Sequence, residues 1–244
     1  KTLKINWESN KIYFITFVLE GRLNLRNEKI KLNKKDAREN KIYIYFIIFF
    51  LGCIVGFTYE TILGIFHLGG LYSKQGLLIG PFIPVYGTGA VLFTVFLKNM
   101  KSKFNIFIAS ILIGGILEYF YSFFQQIIFG TVSWDYQGEL LNIDGRTSIV
   151  FAIFWGIIGV LYITYVYPTI LEIISHFNEK AFSKIALVVT VFMSINILLT
   201  VATSYRQTMR YKGVKAQNGI DIFLDKYFSD EVLNNLYTNR IRKE

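Results

Sequence analysis

Two carboxylates stand inside apolar stretches where a lipid-facing helix would carry none. Glu118 lies close to the middle of the run Phe104–Phe129, and Glu60 lies past the centre of Ile42–Phe66. Insertion scales charge about 2.5–3.5 kcal/mol for an ionised side chain at mid-bilayer. An acid at that depth therefore marks either a functional carboxylate or a protonated, hydrogen-bonded helix contact. Gly114, Glu118, Tyr121 or Ser122, and Gln125 fall at three-to-four spacing on one face, while Phe120, Phe123, Phe124 and Ile127 cover the others. Gly52, Gly56, Glu60 and Gly64 recur every four residues. Small residues so spaced let a second helix backbone approach closely, which turns Glu60 towards protein. A place at the membrane edge, with the carboxylate among headgroups, is the alternative. Ser148, Ala152 and Gly156 repeat the spacing as a packing seam, and Ser194, Asn196 and Thr200 read as interhelical hydrogen-bonding groups.

The loop Gly130–Thr147 concentrates the other reactive side chains. Trp134 and Tyr136 suit a membrane interface, and Asp144-Gly145 suits a tight turn. Asp135, Glu139, Asp144 and Arg146 supply both signs of charge, so Arg146 either pairs within the loop or grips an anionic group bidentately. An ordinary aromatic anchor followed by a turn is the plain reading of the same residues. Two His and one Cys, far apart, make no metal set, and Cys53 has no disulfide partner. There is no phosphate-binding loop and no dinucleotide-binding glycine pattern. With no nucleophile–base pair evident, no catalytic residue, metal or cofactor is assigned.

What must position these groups is a set of membrane helices. Of the residues, 53% are hydrophobic and only 18% charged, too little charge to wet a soluble surface of this length. Crossing a hydrocarbon core about 30 Å thick takes roughly 20 apolar residues. Five stretches reach that length: 42–66, 77–97, 104–129, 148–167 and 185–202. Runs such as Ile47-Ile48-Phe49-Phe50-Leu51 break the alternation a β-barrel needs. The reading is an all-α polytopic integral membrane protein with about five transmembrane helices and short amphipathic helices at the C-terminus.

Three parts follow: a basic extension at 1–41, a transmembrane domain at 42–204, and a linker with an amphipathic tail at 205–244. Eight Lys or Arg between Arg22 and Lys41 place the N-terminus in the cytoplasm. Lys98, Lys101 and Lys103, then Lys180 and Lys184, continue the positive-inside pattern; Arg206, Arg210, Lys212 and Lys215 run against it. A re-entrant second segment, broken at Gly80-Pro81 and Pro84, would move the tail inside but scatter the polar features across both faces. Five full crossings gather them in the outer half, so that arrangement is preferred. The net charge of +9 belongs to this topology rather than to nucleic acid. From Asp221 to Arg242 apolar residues return at helical spacing, with Ser229 or Asp230 as a cap.

The strings Gly56-Phe-Thr-Tyr-Glu60 and Gly76-Leu-Leu-Ile-Gly-Pro-Phe-Ile-Pro-Val-Tyr-Gly-Thr-Gly89 resemble the signature of the family called Putative ABC-transporter type IV. Leu117-Glu118-Tyr119, Trp134-Asp135-Tyr136, Asn142-Ile-Asp-Gly-Arg146 and Trp155-Gly156 are similar to its later blocks, in the same order. The family usually carries Trp-Glu at Tyr59-Glu60. It often has Asn-Arg-Gly-Phe-Leu at Ser73–Leu77, so an Arg is missing here. The resemblance spans about residues 42–170 and implies a permease-like subunit that moves an unidentified substrate with a separate nucleotide-binding ATPase. Substrate-path candidates are then Glu60, Pro81, Pro84, Tyr86, Glu118, Trp134, Asp135, Tyr136, Asn142, Asp144 and Arg146, with Pro81 and Pro84 breaking the second span. Gly52, Gly56, Gly64 and Gly156 are packing positions. A membrane-embedded enzyme acting on a lipid or headgroup, and a scaffold or sensor, are the alternatives. The Lys-, Asn-, Ile- and Phe-rich composition is associated with a bacterial plasma membrane.

Overall fold

The computed structural model describes residues 40–68 and 74–243. Of the basic extension expected at 1–41, residues 1–39 lie outside the described residues and the last two begin the first helix. Residues 43–244 form one compact unit. Its helices are α1 (Asn40–Leu68), α2 (Pro84–Leu97), α3 (Lys103–Phe129), α4 (Ile149–Leu161), α5 (Tyr167–Ser175), α6 (Glu179–Tyr211), α7 (Gly219–Tyr227) and α8 (Asp230–Leu236). A π turn at Tyr162–Val166 joins α4 to α5, so the two make one rod. Among the described residues, four rods are long and apolar enough to cross a membrane: Ile42–Ile65, Lys103–Phe129, Ile149–Ser175 and Glu179–Tyr211. The fold is all-α, as composition and run length require.

The second crossing departs from a plain helix. α2 has 14 residues and rises about 21 Å, short of the hydrocarbon thickness of about 30 Å. The expected helix over 77–97 thus starts only at Pro84, and residues 74–83 run irregularly. The cause is local. Gly80 takes φ +81°, and Pro81 and Pro84 lack the N–H groups that an α ladder needs. Pro84 is then well placed in the first turn of α2, where its missing donor costs nothing.

Irregular backbone survives at membrane depth only where protein satisfies it. Here Leu78 N donates to Thr200 Oγ1 at 2.9 Å and Ile79 N to Asn196 Oδ1 at 3.0 Å. Asn196 Nδ2 returns a bond to Ile79 O at 2.7 Å, and Ile83 N donates to Cys53 O at 3.1 Å. Asn196 and Thr200, expected to bond helix to helix, instead hold a loop. Lys98 Nζ donates to the Tyr45 hydroxyl at 3.3 Å, so α2 ends beside the start of α1. The segment therefore traverses the bundle rather than turning back.

Lys98, Lys101, Lys103, Lys180 and Lys184 gather at one end of the bundle, the lysine end. Residues 130–147 and the tail cap the other. There Thr208 Oγ1 donates to Phe129 O at 2.8 Å, and β1 (Thr131–Val132) pairs antiparallel with β2 (Ile241–Arg242).

Glycines set the close approaches. A Cβ on Gly52 would stand 2.9 Å from the Gly87 Cα, and one on Gly56 would collide with the Tyr86 ring. Gly156 lies against Phe107, and Gly114 lies under Trp155. Gly64 is different: no described residue comes within 4 Å of its virtual Cβ. Phe93, Leu97, Ile48 and Trp155 form the buried centre.

α6 continues to Tyr211, although polar residues begin at Thr203; residues 205–211, read as linker, are helical because the tail folds over them. Arg206, Gln207 and Thr208 are buried. Arg206 pairs with Asp225, and Arg210 bridges Asp225 and Asp230, each at 2.7 Å. Leu233 and Tyr237 then pack on Leu78 of the irregular segment.

Candidate functional site

A cavity of about 780 Å³ opens in the capped half of the bundle. Its walls come from α1, the irregular segment, α2, α3, α4 and α6, with Ser133–Tyr136 and the tail residues Tyr237, Asn239 and Arg240 completing them. Such a volume suits a small or medium-sized organic ligand. Most of the lining is aromatic or aliphatic, so the few polar groups decide what it accepts.

The bend at Gly80-Pro81 returns the chain to α1 and brings Tyr86 over Gly56. Glu60 accepts from the Tyr86 hydroxyl at 2.6 Å and from Lys74 Nζ at 3.0 Å. It faces protein, as the four-residue stripe requires, and its charge is balanced on the spot. Glu118 lies on α3 across the cavity and is 7% exposed. Thr147 Oγ1 donates to it at 3.1 Å, and Trp155 and Tyr136 are its other polar neighbours. Tyr136 stacks on Phe151 with ring centres 4.2 Å apart. Burial first, and then the negative charges of Glu118 and Glu60, push its phenol well above the ordinary range. Tyr121 shares a 2.7 Å hydrogen bond with Thr88 on the neighbouring wall.

The cavity unites six expected residues: Glu60, Pro84, Tyr86, Glu118, Trp134 and Tyr136. Pro81 shapes the bend without lining it. Arg146, Asp135 and Asp144 border a second, polar pocket of about 210 Å³, which also touches Trp134. Arg146 donates to Gln126 at 2.6 Å and Ser122 at 3.3 Å and lies over the rings of Tyr119 and Phe123. Among the described residues it forms no ion pair, so the loop acids do not neutralise it. Asp144 instead accepts from Tyr119, and Asp135 pairs with Lys243, which holds its carboxyl below the usual range. Asn142 ties the loop together through Gln137, Glu139 and Gly145.

Sequence reasoning missed Arg240. Its guanidinium stacks on Tyr237, 3.8 Å from the ring centre, and one N–H donates to Ser204 at 3.1 Å. The available signal was weak: one more cation in a basic tail whose apolar spacing indicated only helices.

Residues 47–201 match the family described as Putative ABC-transporter type IV. The chain belongs to that family. No curated protein and no solved structure matches it. The family match runs from α1 into α6 and so includes most of the cavity's helical wall, whereas Tyr237, Asn239 and Arg240 lie beyond it. This is a membrane protein of a transporter-related family, and its principal cavity is roofed by a tail outside the matched region.

Proposed function

We propose that this chain is the permease-like subunit of an ABC transporter in a bacterial plasma membrane. Its cavity is the substrate chamber, and energy comes from a separate nucleotide-binding ATPase. The observation that carries this reading is the second crossing, half irregular segment and half helix. A discontinuous span beside a cavity is a recurrent feature of transporter folds. Here the backbone of the break is satisfied by α1, by α6 and within the segment, and its Gln75, Gly76, Leu77, Ile83 and Pro84 line the chamber. Glu60, Tyr86 and Glu118 are the substrate-path groups that line the chamber, and Pro81 and Pro84 keep the span broken. Arg146, Asp135, Asp144 and Asn142 form an entrance at the capped end. The lysine end is cytoplasmic, as the positive-inside bias favours, and the short connections 98–102 and 176–178 are where an ATPase would couple.

The test is isolation of the full chain from its native membrane in mild detergent. We expect a nucleotide-binding subunit at near-stoichiometric amount, with ATP hydrolysis that changes in Glu118→Gln. Isolation without an ATPase, or hydrolysis indifferent to substitutions throughout the cavity, overturns the reading. Labelling cysteines placed at Lys101 and Gln137 on a Cys53→Ala background tests orientation, and both reacting from one side would refute it.

A further inference from the structure

We infer that the cavity's occupant is a membrane phospholipid with an anionic headgroup, its acyl chain along α3, α4 and α6 and its head at Arg240. This rests on the substrate-chamber reading for its meaning, but not for its evidence, which is geometric.

The first observation is where the cavity opens. Phe120, Phe124, Ile128, Phe154 and Val201 line it at 45–53% exposure, and beside them on the same helices stand Ile127, Ile157 and Leu198, which do not line it and are 46–69% exposed. One wall therefore continues into the surface that faces hydrocarbon. A chamber open sideways to lipid is filled from the bilayer, since an apolar chain moving in from there leaves no water behind and exposes no new surface.

The second observation is charge. Four ionisable residues other than tyrosines line the cavity: Glu60, Lys74, Glu118 and Arg240. Glu60 and Lys74 neutralise each other at 3.0 Å, and the Glu118 carboxyl is engaged by Thr147. Arg240 has no carboxylate partner among the described residues, and Arg242, two positions on and stacked over Tyr211, has none either. Burial and the neighbouring Arg242 both act to lower the proton affinity of Arg240, the strain of a cation lacking an anion. A half-buried guanidinium with free N–H groups matches phosphate oxygens in charge and geometry. Ser204, whose Oγ accepts from Arg240, and Asn239, whose Nδ2 donates to Ser133 O, lie beside it as neutral polar groups.

The third observation is position. Arg240 belongs to the capped end: one N–H donates to Ser204 on α6, and the adjoining Ile241–Arg242 pair with Thr131–Val132 just past α3, the end at which a bilayer spanned by the long helices would put headgroups. Apolar lining below and a cation at headgroup depth reproduce the polarity profile of an anionic lipid.

The probe is a phosphatidylglycerol with brominated acyl chains, because Trp134 and Trp155 both line the cavity and bromine quenches indole fluorescence on contact. The full chain is reconstituted without any ATPase into phosphatidylcholine vesicles containing a minor fraction of the probe. A second set carries brominated phosphatidylcholine at the same fraction. Quenching by the anionic probe should half-saturate at about a tenfold lower mole fraction, as a charge-assisted hydrogen-bond pair supports. Arg240→Gln should abolish the preference, and Arg240→Lys should keep part of it. Should Arg240→Gln lose its fold, Val201→Phe, which narrows the opening and leaves Arg240 intact, must weaken quenching by both probes. Equal quenching by the two lipids in the natural chain, an unchanged preference in a folded Arg240→Gln, or full displacement of the probe by water-soluble glycerol phosphate overturns the inference. Absence of an ATPase partner would remove the transport reading and leave this result standing.

Discussion

Replacing Asp225 by Asn should unlatch the tail from the bundle. Asp225 accepts from Arg206 Nε at 2.9 Å and Nη2 at 2.7 Å, and from Arg210 Nη1 at 2.7 Å. Arg206 first, and Arg210 with it, hold the carboxyl at about 2 against an ordinary 3.8. At about 1.36 kcal/mol per pH unit that difference corresponds to roughly 2.5 kcal/mol of coupling. The Asp225 side chain is 29% exposed, so solvent screening reduces the net to about 1.5 kcal/mol. The opening constant of the tail should then rise about tenfold in Asp225→Asn. Tryptic cleavage after Lys226 reports that constant when opening and closing outpace cleavage. The rate should rise about tenfold while the melting of the helical bundle moves little. The pH dependence has a fixed sign. A carboxyl depressed by folding contributes above its ordinary value and loses that contribution as pH falls from about 4 to about 2. Amide exchange in α7 should therefore accelerate across that window in the natural chain and stay flat in the variant. Unchanged cleavage, with Arg206 still 5% exposed and facing a neutral amide, would refute the clamp.

Glu118→Gln keeps an acceptor for Thr147 and should melt within about 1 kcal/mol of the natural chain; Glu118→Leu strands a buried hydroxyl and should cost about 1–3 kcal/mol more. Equal melting of the two would show that the carboxyl makes no structural contact. Gly56→Ala drives a methyl into the Tyr86 ring and should destabilise by about 1–3 kcal/mol, whereas Gly64→Ala, with open space, should be neutral or slightly stabilising. Thermal melting in detergent ranks the pair, and the reverse order would contradict the packing described. Asn196→Ala removes both side-chain bonds to Ile79 and should cost about 2 kcal/mol, read by the same melting curve and by faster exchange at Ile79.

The four long spans were legible because the bilayer imposes a length on any uninterrupted apolar run. Residues 77–83 were not. Leu77, Leu78, Ile79, Phe82 and Ile83 are as apolar as helix residues, and the partners that replace their helical bonds, Asn196 and Thr200, come about 120 positions later. The polar stripe correctly turned Glu60 inward, but Tyr86 and Lys74 depend on the bend. Tail helices were readable from spacing and caps, as Ser229 accepting from Val232 N at 3.4 Å illustrates. Their docking was not, because Arg206 and Arg210 look like solvent-exposed charges until Asp225 and Asp230 are placed against them.

The bonds between residues 78–79 and α6 also order the protein's assembly in the membrane. When residues 74–97 leave the ribosome, the groups that will satisfy Leu78 and Ile79 have not been synthesised. Until α6 arrives, the first half of that crossing offers bare backbone donors to lipid, at several kcal/mol for each unsatisfied group. It must wait in the translocation machinery or at the interface and move inward last. A chain ended after α5 should therefore leave residue 78 accessible to water-soluble reagents, while the full chain buries it.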